Sequence, residues 1–66
     1  MNITHYHKQA NCFNIVATDK HRQVHTLKLD FEQLPDKALI DEINAHKITS
    51  ELQLLINNPL IKTTKV

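Results

Sequence analysis

The stretch Cys12-Phe13-Asn14-Ile15-Val16-Ala17, the polar run Thr18-Asp19-Lys20-His21-Arg22-Gln23 and the segment Val24-His25-Thr26-Leu27-Lys28-Leu29-Asp30-Phe31 together decide the fold. Apolar residues recur at every second position: Phe13, Ile15 and Ala17 first, then Leu27, Leu29 and Phe31. A period of two puts each set on one face of a strand. Pairing Ile15 with Leu27 and Phe13 with Leu29 brings both sets to the same side, and leaves Asn14, Val16, Thr26, Lys28 and Asp30 on the other. The prediction is a half-buried antiparallel hairpin. The polar run lacks the glycine that tight turns favour, so a looser loop of about three to five residues joins the strands.

Outward from the hairpin, Ile3, Thr4 and Tyr6 are good strand formers and offer a third strand, which an otherwise marginal hairpin needs. The β-branched tail (Ile61, Thr63, Thr64, Val66) competes for the same role. On the other side, Leu34-Pro35 ends the strand and Asp36 suits a helix N-cap. Leu39, Ile40 and Ile43 then form an inward stripe, Lys37 and Asp41 pair at helical spacing, and His46 and Lys47 favour the C-terminal end of the dipole. Ser50 with Gln53 matches a capping box ahead of Leu52, Leu55 and Ile56, and Asn57-Asn58-Pro59 stops the run. Two short helices are expected, over about 36–47 and 50–58, with one long bent helix as the alternative. The fold class is α+β: an antiparallel β-hairpin or three-stranded sheet packed against one or two C-terminal helices. One small domain covers 1–66, with a β unit over about 1–31, a helical unit over about 35–58 and a short tail over 59–66.

Bulk properties narrow the function. A chain of 66 residues buries only about 60% of its unfolded surface, so its core is marginal and a metal or a second copy would help. A disulfide within the chain is excluded, because Cys12 is the sole cysteine; it reads as a small buried hydrophobe in a reducing compartment. No signal-like or membrane-spanning run is visible, which places the expectation in the cytoplasm without a membrane partner. The formal charge of +1 lacks the basic excess of a strong nonspecific nucleic-acid binder. Glycine is absent, which removes Walker-type phosphate loops and Rossmann turns.

Candidate chemistry is sparse. On a strand His5 and His7 would share a face and could share a metal, with His25 or Cys12 completing the site. No CxxC, HExxH or spaced Cys/His quartet supports this, so solvated histidines are the preferred reading and neither a metal nor another cofactor is expected. Nothing in the sequence orients a base toward Cys12, and the chain is read as a non-enzyme. A larger protein is the expected partner, with a homodimer as a further option. The surplus apolar residues of the second helix (Leu52, Leu54, Leu55, Ile56) and an outer sheet surface with Tyr6, Val16 and Val24 are its candidate contacts. The implied role is a noncatalytic interaction module, of the kind seen in small phage or plasmid inhibitors and adaptors.

The alternative is nucleic acid, contacted by Lys20, Arg22, Thr26 and Lys28 beside His21 and His25. From Val24 onward the chain resembles ribbon-helix-helix repressors, through Leu27-Lys28-Leu29-Asp30-Phe31, Leu34-Pro35 and Thr49-Ser50-Glu51-Leu52 with Leu55-Ile56. The resemblance implies a dimeric DNA-binding regulator. The chain departs from that pattern in its short first helix, the missing glycine between helices and the acidic Asp30 on the ribbon.

Overall fold

The structure, a computed structural model, describes residues 1–46 and 49–66. Four strands form one antiparallel sheet in the order β1-β2-β3-β4: β1 (Asn2–Lys8), β2 (Cys12–Thr18), β3 (Val24–Asp30) and β4 (Thr64–Lys65). Two helices, α1 (Ala38–His46) and α2 (Thr49–Asn57), follow the first three strands and cover one face of the sheet. The α+β expectation holds, with one strand more than foreseen. Residues 1–8 and the tail do not compete; they occupy opposite edges.

The central register is the one that alternation dictates. Ile15 faces Leu27 and Phe13 faces Leu29. Phe13, Ile15, Ala17, Leu27 and Leu29 are buried with Leu34, Ile40, Ile43, Leu52 and Leu55 in one cluster. Phe13, at 0% exposure, is the largest of the fully buried side chains. The ring of Tyr6 meets it edge-on at 5.8 Å and that of Phe31 at 5.2 Å. Such pairs contribute about 0.5–1.5 kcal/mol beyond area burial.

The β2–β3 loop is built on Asp19. Its backbone N–H donates to the Gln23 carbonyl and its carbonyl accepts from Arg22 N–H, both at 3.0 Å. Its Oδ1 accepts the N–H groups of His21 and Gln23, while Oδ2 lies 2.8 Å from His25 Nε2. Arg22 takes φ 62°, the conformation glycine would supply. In this glycine-free chain a carboxylate holds the loop instead.

The other corrections concern ends. The strand stops at Asp30, and Phe31 turns away in a 3-10 turn (Phe31–Gln33), its N–H held by the Asn11 carbonyl at 3.0 Å. It joins the core as a lid on Phe13, not as a third strand position. Asp36 caps α1 through a 2.9 Å bond from Ala38 N–H. Lys37 does not reach Asp41; its Nζ donates to the Phe31 carbonyl. Helix α1 ends at His46, and the charge expected of Lys47 lies outside the described residues. Asn58 ends α2 by accepting Leu60 N–H at its Oδ1 and Ile61 N–H at its carbonyl.

Gln53 has a role other than the capping box. Its Oε1 accepts Ile3 N–H at 2.8 Å and its Nε2 donates to the Met1 carbonyl. A side-chain amide thus pairs with the free edge of β1 as a strand would, tying α2 to the sheet. Beside it the pairing slips between Ile3 and His5. Bulges and occupied edge groups both protect an edge strand from pairing with foreign chains.

Three outcomes follow. Phe13→Ala should cost about 3–5 kcal/mol in urea unfolding, most of what so small a domain possesses, whereas Val24→Ala should stay within about 0.5 kcal/mol. Gln53→Ala should lose about 1 kcal/mol and speed hydrogen exchange at the Ile3 amide by NMR. Asp19 is held below its ordinary value of 3.8, chiefly by the hydrogen bond from His25, then by the backbone N–H groups of Gln23 and His21. A depressed carboxylate stabilises the fold above its unfolded pKa and loses that contribution as pH falls through the folded one. Acid unfolding below the ordinary value of 3.8 should therefore be shallower in Asp19→Asn than in the wild type.

Candidate functional site

Both helices pack on the same side of the sheet, so the opposite face is uncovered. Its side chains are the alternate set, and the register lays them out in rows. His7, Asn14, Lys28 and Thr64 form one row across the sheet; His5, Val16 and Thr26 form the next; Asn2, Thr18 and Val24 form the third. Neighbours within a row are about 4.5–5.5 Å apart at Cβ. Val16 and Thr18 are half-buried by their neighbours, and Val24 is 67% exposed. A β-branched centre is thus framed by histidines on one side and Lys28 on the other. The exposed loop residues Lys20, His21 and Arg22 extend the surface at one end.

Charge is divided between the two layers. Residues 1–31 carry Lys8, Lys20, Arg22 and Lys28 against Asp19 and Asp30. Glu32, Asp36, Asp41, Glu42 and Glu51 all fall in the 3-10 turn, the helices and their connections. Of the two acids on the sheet side, Asp19 is engaged by His25. Asp30 Oδ1 lies 3.8 Å from Lys28 Nζ, with both side chains about half exposed, which makes a weak pair. The near-neutral total therefore averages a sheet with a small basic excess against helices that are mostly acidic, although Lys8, opposite Phe13 and over the Phe31 ring, belongs to the covered face and Lys37 offsets one helix-side acid.

The predicted contact residues separate under this geometry. Val16, Val24, Thr26 and Lys28 come together on the open face, with Lys20 and Arg22 beside them, so the nucleic-acid candidates share one surface with two of the protein-partner candidates, Val16 and Val24. Leu52 and Leu55 are core, the former at 0% exposure, and present nothing to a partner. Ile56 packs half-buried against the core, and Leu54 is exposed alone on the far side of α2. Tyr6 points inward, and its hydroxyl donates to the Ile43 carbonyl at 3.2 Å. The apolar surplus of α2 reflects its position against both the sheet and α1, since one stripe serves two neighbours.

The remaining chemical candidates stay apart. Cys12 is buried, with Sγ 3.6 Å from Gln9 Oε1 and no imidazole as its partner among the described residues. His25 serves the loop through Asp19 and does not join His5 and His7. No group of three or more His, Cys, Asp or Glu side chains is placed to hold a metal among the described residues. An open cleft of about 620 Å³ lies where β3 meets the 3-10 turn, lined by Lys28, Asp30, Glu32 and Lys37 beside Phe31 and Ile40. Its charges alternate and adjoin the open face at Lys28.

Strand β3 lies inside the sheet, paired with β2 on one side and β4 on the other. The pairing with β4 is confined to Leu27 and Lys28, whereas that with β2 runs the length of β3. No helix among the described residues is long and apolar enough to cross a membrane. No protein-family model, curated protein or solved structure matches this chain.

Proposed function

We propose that this chain is a noncatalytic interaction module of the cytoplasm that seats an acidic surface of a larger protein on its open sheet face, as a small inhibitor or adaptor does. The observation that carries this reading is a bare sheet face with a β-branched centre and a basic rim, on a chain whose acids lie mostly in the opposite layer. Opposed potentials of this kind steer encounter and fix orientation. The centre, Val16, Thr18, Val24 and Thr26, offers apolar area for anchoring, while Lys20, Arg22 and Lys28 select for negative charge. A protein partner is favoured over single-stranded nucleic acid because the three aromatic rings, Tyr6, Phe13 and Phe31, are committed to one another inside and leave none on the face for base stacking. The cytoplasmic assignment rests on Cys12 being the sole cysteine, free and buried, without a disulfide framework.

The test compares three baits in pull-downs from host lysate: wild type, a face variant (Lys20→Glu, Arg22→Glu, Lys28→Glu with Val24→Asp) and a helix-side variant (Asp41→Lys, Glu42→Lys). All the changed positions are exposed, so thermal melts should remain close to wild type. One protein species should be retained by the wild type and the helix-side variant, and bound at least ~10-fold more weakly by the face variant, because losses at the centre of an interface exceed about 1 kcal/mol. Equal retention by all three baits, or capture that nuclease abolishes, would defeat the reading.

A further inference from the structure

Two imidazoles on the open face have no part in the reading above. His5 and His7 are both exposed and stand two residues apart on β1, beyond the slip in its pairing. Alternation turns both to the open side, about 6.6 Å apart along the strand. Across the sheet His5 meets Val16 and then Thr26, and His7 meets Asn14 and then Lys28. Neither row places a carboxylate against them, and the acid on this face, Asp30, lies in the next row opposite Cys12.

Thr4 decides which nitrogen of His5 is available. Its hydroxyl donates to the Val16 carbonyl at 2.9 Å. A hydroxyl has one proton, so toward His5 Nδ1, 3.4 Å away, the same oxygen can only accept. In the tautomer that this contact fits, the proton sits on Nδ1 and the bare lone pair of Nε2 turns outward. Metal-binding histidines are prepared in this way, with one ring N–H held by an oxygen while the other nitrogen is free. His7, one pleat further along, supplies a second exposed imidazole to the same solvent volume.

We propose that His5 and His7 form a bidentate site for a borderline transition-metal dication on the open sheet face. An imidazole pair suits Cu²⁺, Ni²⁺ and Zn²⁺ and discriminates against Mg²⁺ and Ca²⁺, which take oxygen ligands. No third His, Cys, Asp or Glu joins the pair among the described residues, so the other coordination positions belong to water or to a donor brought by another molecule. The site does not depend on the protein-partner reading, since it needs only the two side chains and their strand.

The experiment titrates chelator-stripped protein with Cu²⁺, Ni²⁺, Zn²⁺ and Mg²⁺ by calorimetry, while NMR follows the histidine ring signals. One saturable site is expected, tightest for Cu²⁺ and absent for Mg²⁺, with the signals of His5 and His7 moving first. His5→Gln and His7→Gln should each weaken binding by roughly 10-fold or more, since even the loss of a supporting partner costs about 10–100-fold. Thr4→Val should weaken it less, and His21→Gln and His25→Gln should leave it unchanged. Far-UV melts should show that the variants fold, as both histidines are exposed. No saturable binding in the wild type, or undiminished binding in the His5→Gln/His7→Gln double variant, would refute the site.

Discussion

The structure depends on one constraint: a chain of this length has enough apolar surface to cover one face of a sheet and no more. The alternating set of β2, Phe13, Ile15 and Ala17, is entirely buried. Each helix supplies a single stripe to meet it, Ile40 and Ile43 from α1 and Leu52 and Leu55 from α2. Phe13 lies at the junction, with Tyr6 and Phe31 closing on it from two sides. The largest fully buried side chains, Phe13, Ile15, Leu29, Ile43 and Leu52, all belong to this cluster. The other face of the sheet is left to β-branched and charged residues, which tolerate water.

The same constraint explains what could be read from the sequence. The β2–β3 register follows from parity alone, because a slip of one residue would expose Phe13 and Leu29 together. Both helices were legible from Asp36 and from the Asn-Asn-Pro stop, which are local signals. What could not be read is mostly long-range. The tail could be seen to favour a strand, but nothing in 59–66 says that it joins β3 while 2–8 joins β2. Gln53 sits three residues after Ser50 and so fits a local capping pattern; its actual partners, Met1 and Ile3, are some 50 positions away in the chain. Phe31 continues the alternation of β3 faithfully, and its N–H still bonds the Asn11 carbonyl in register, but the 3-10 turn that starts at Phe31 ends the strand there.

The candidate surface shows the same division. Val16, Val24, Thr26 and Lys28 were visible as the outward set once the inward set was known. The error lay in treating apolar excess on α2 as exposure. Leu52 and Leu55 are as apolar as Leu54, but they stand three residues apart on the one stripe that α2 buries, and Leu54 lies off it. Layered charge was also invisible in the total. A value near zero averages a sheet with a small basic excess against mostly acidic helices, and a partner meets a surface rather than an average.

Separating core from face has a consequence for how such a small chain can change. Core positions are coupled through Phe13, so a substitution at any one of them threatens a stability of only a few kcal/mol. Open-face positions pack against their cross-strand neighbours alone, and at Val24 or Lys28 a change acts on the surface with little effect on the fold. The loop supports this freedom. Asp19 holds its own backbone and His25 without drawing on Lys20, His21 or Arg22 side chains, so the tip can carry charge while the carboxylate maintains its shape. Thr4 does the same for the histidine strand, anchoring to the Val16 carbonyl and orienting His5 while leaving its outer nitrogen free. The atoms that hold the fold thus differ from those the open face presents, so that face can change on a domain with almost no stability to spare.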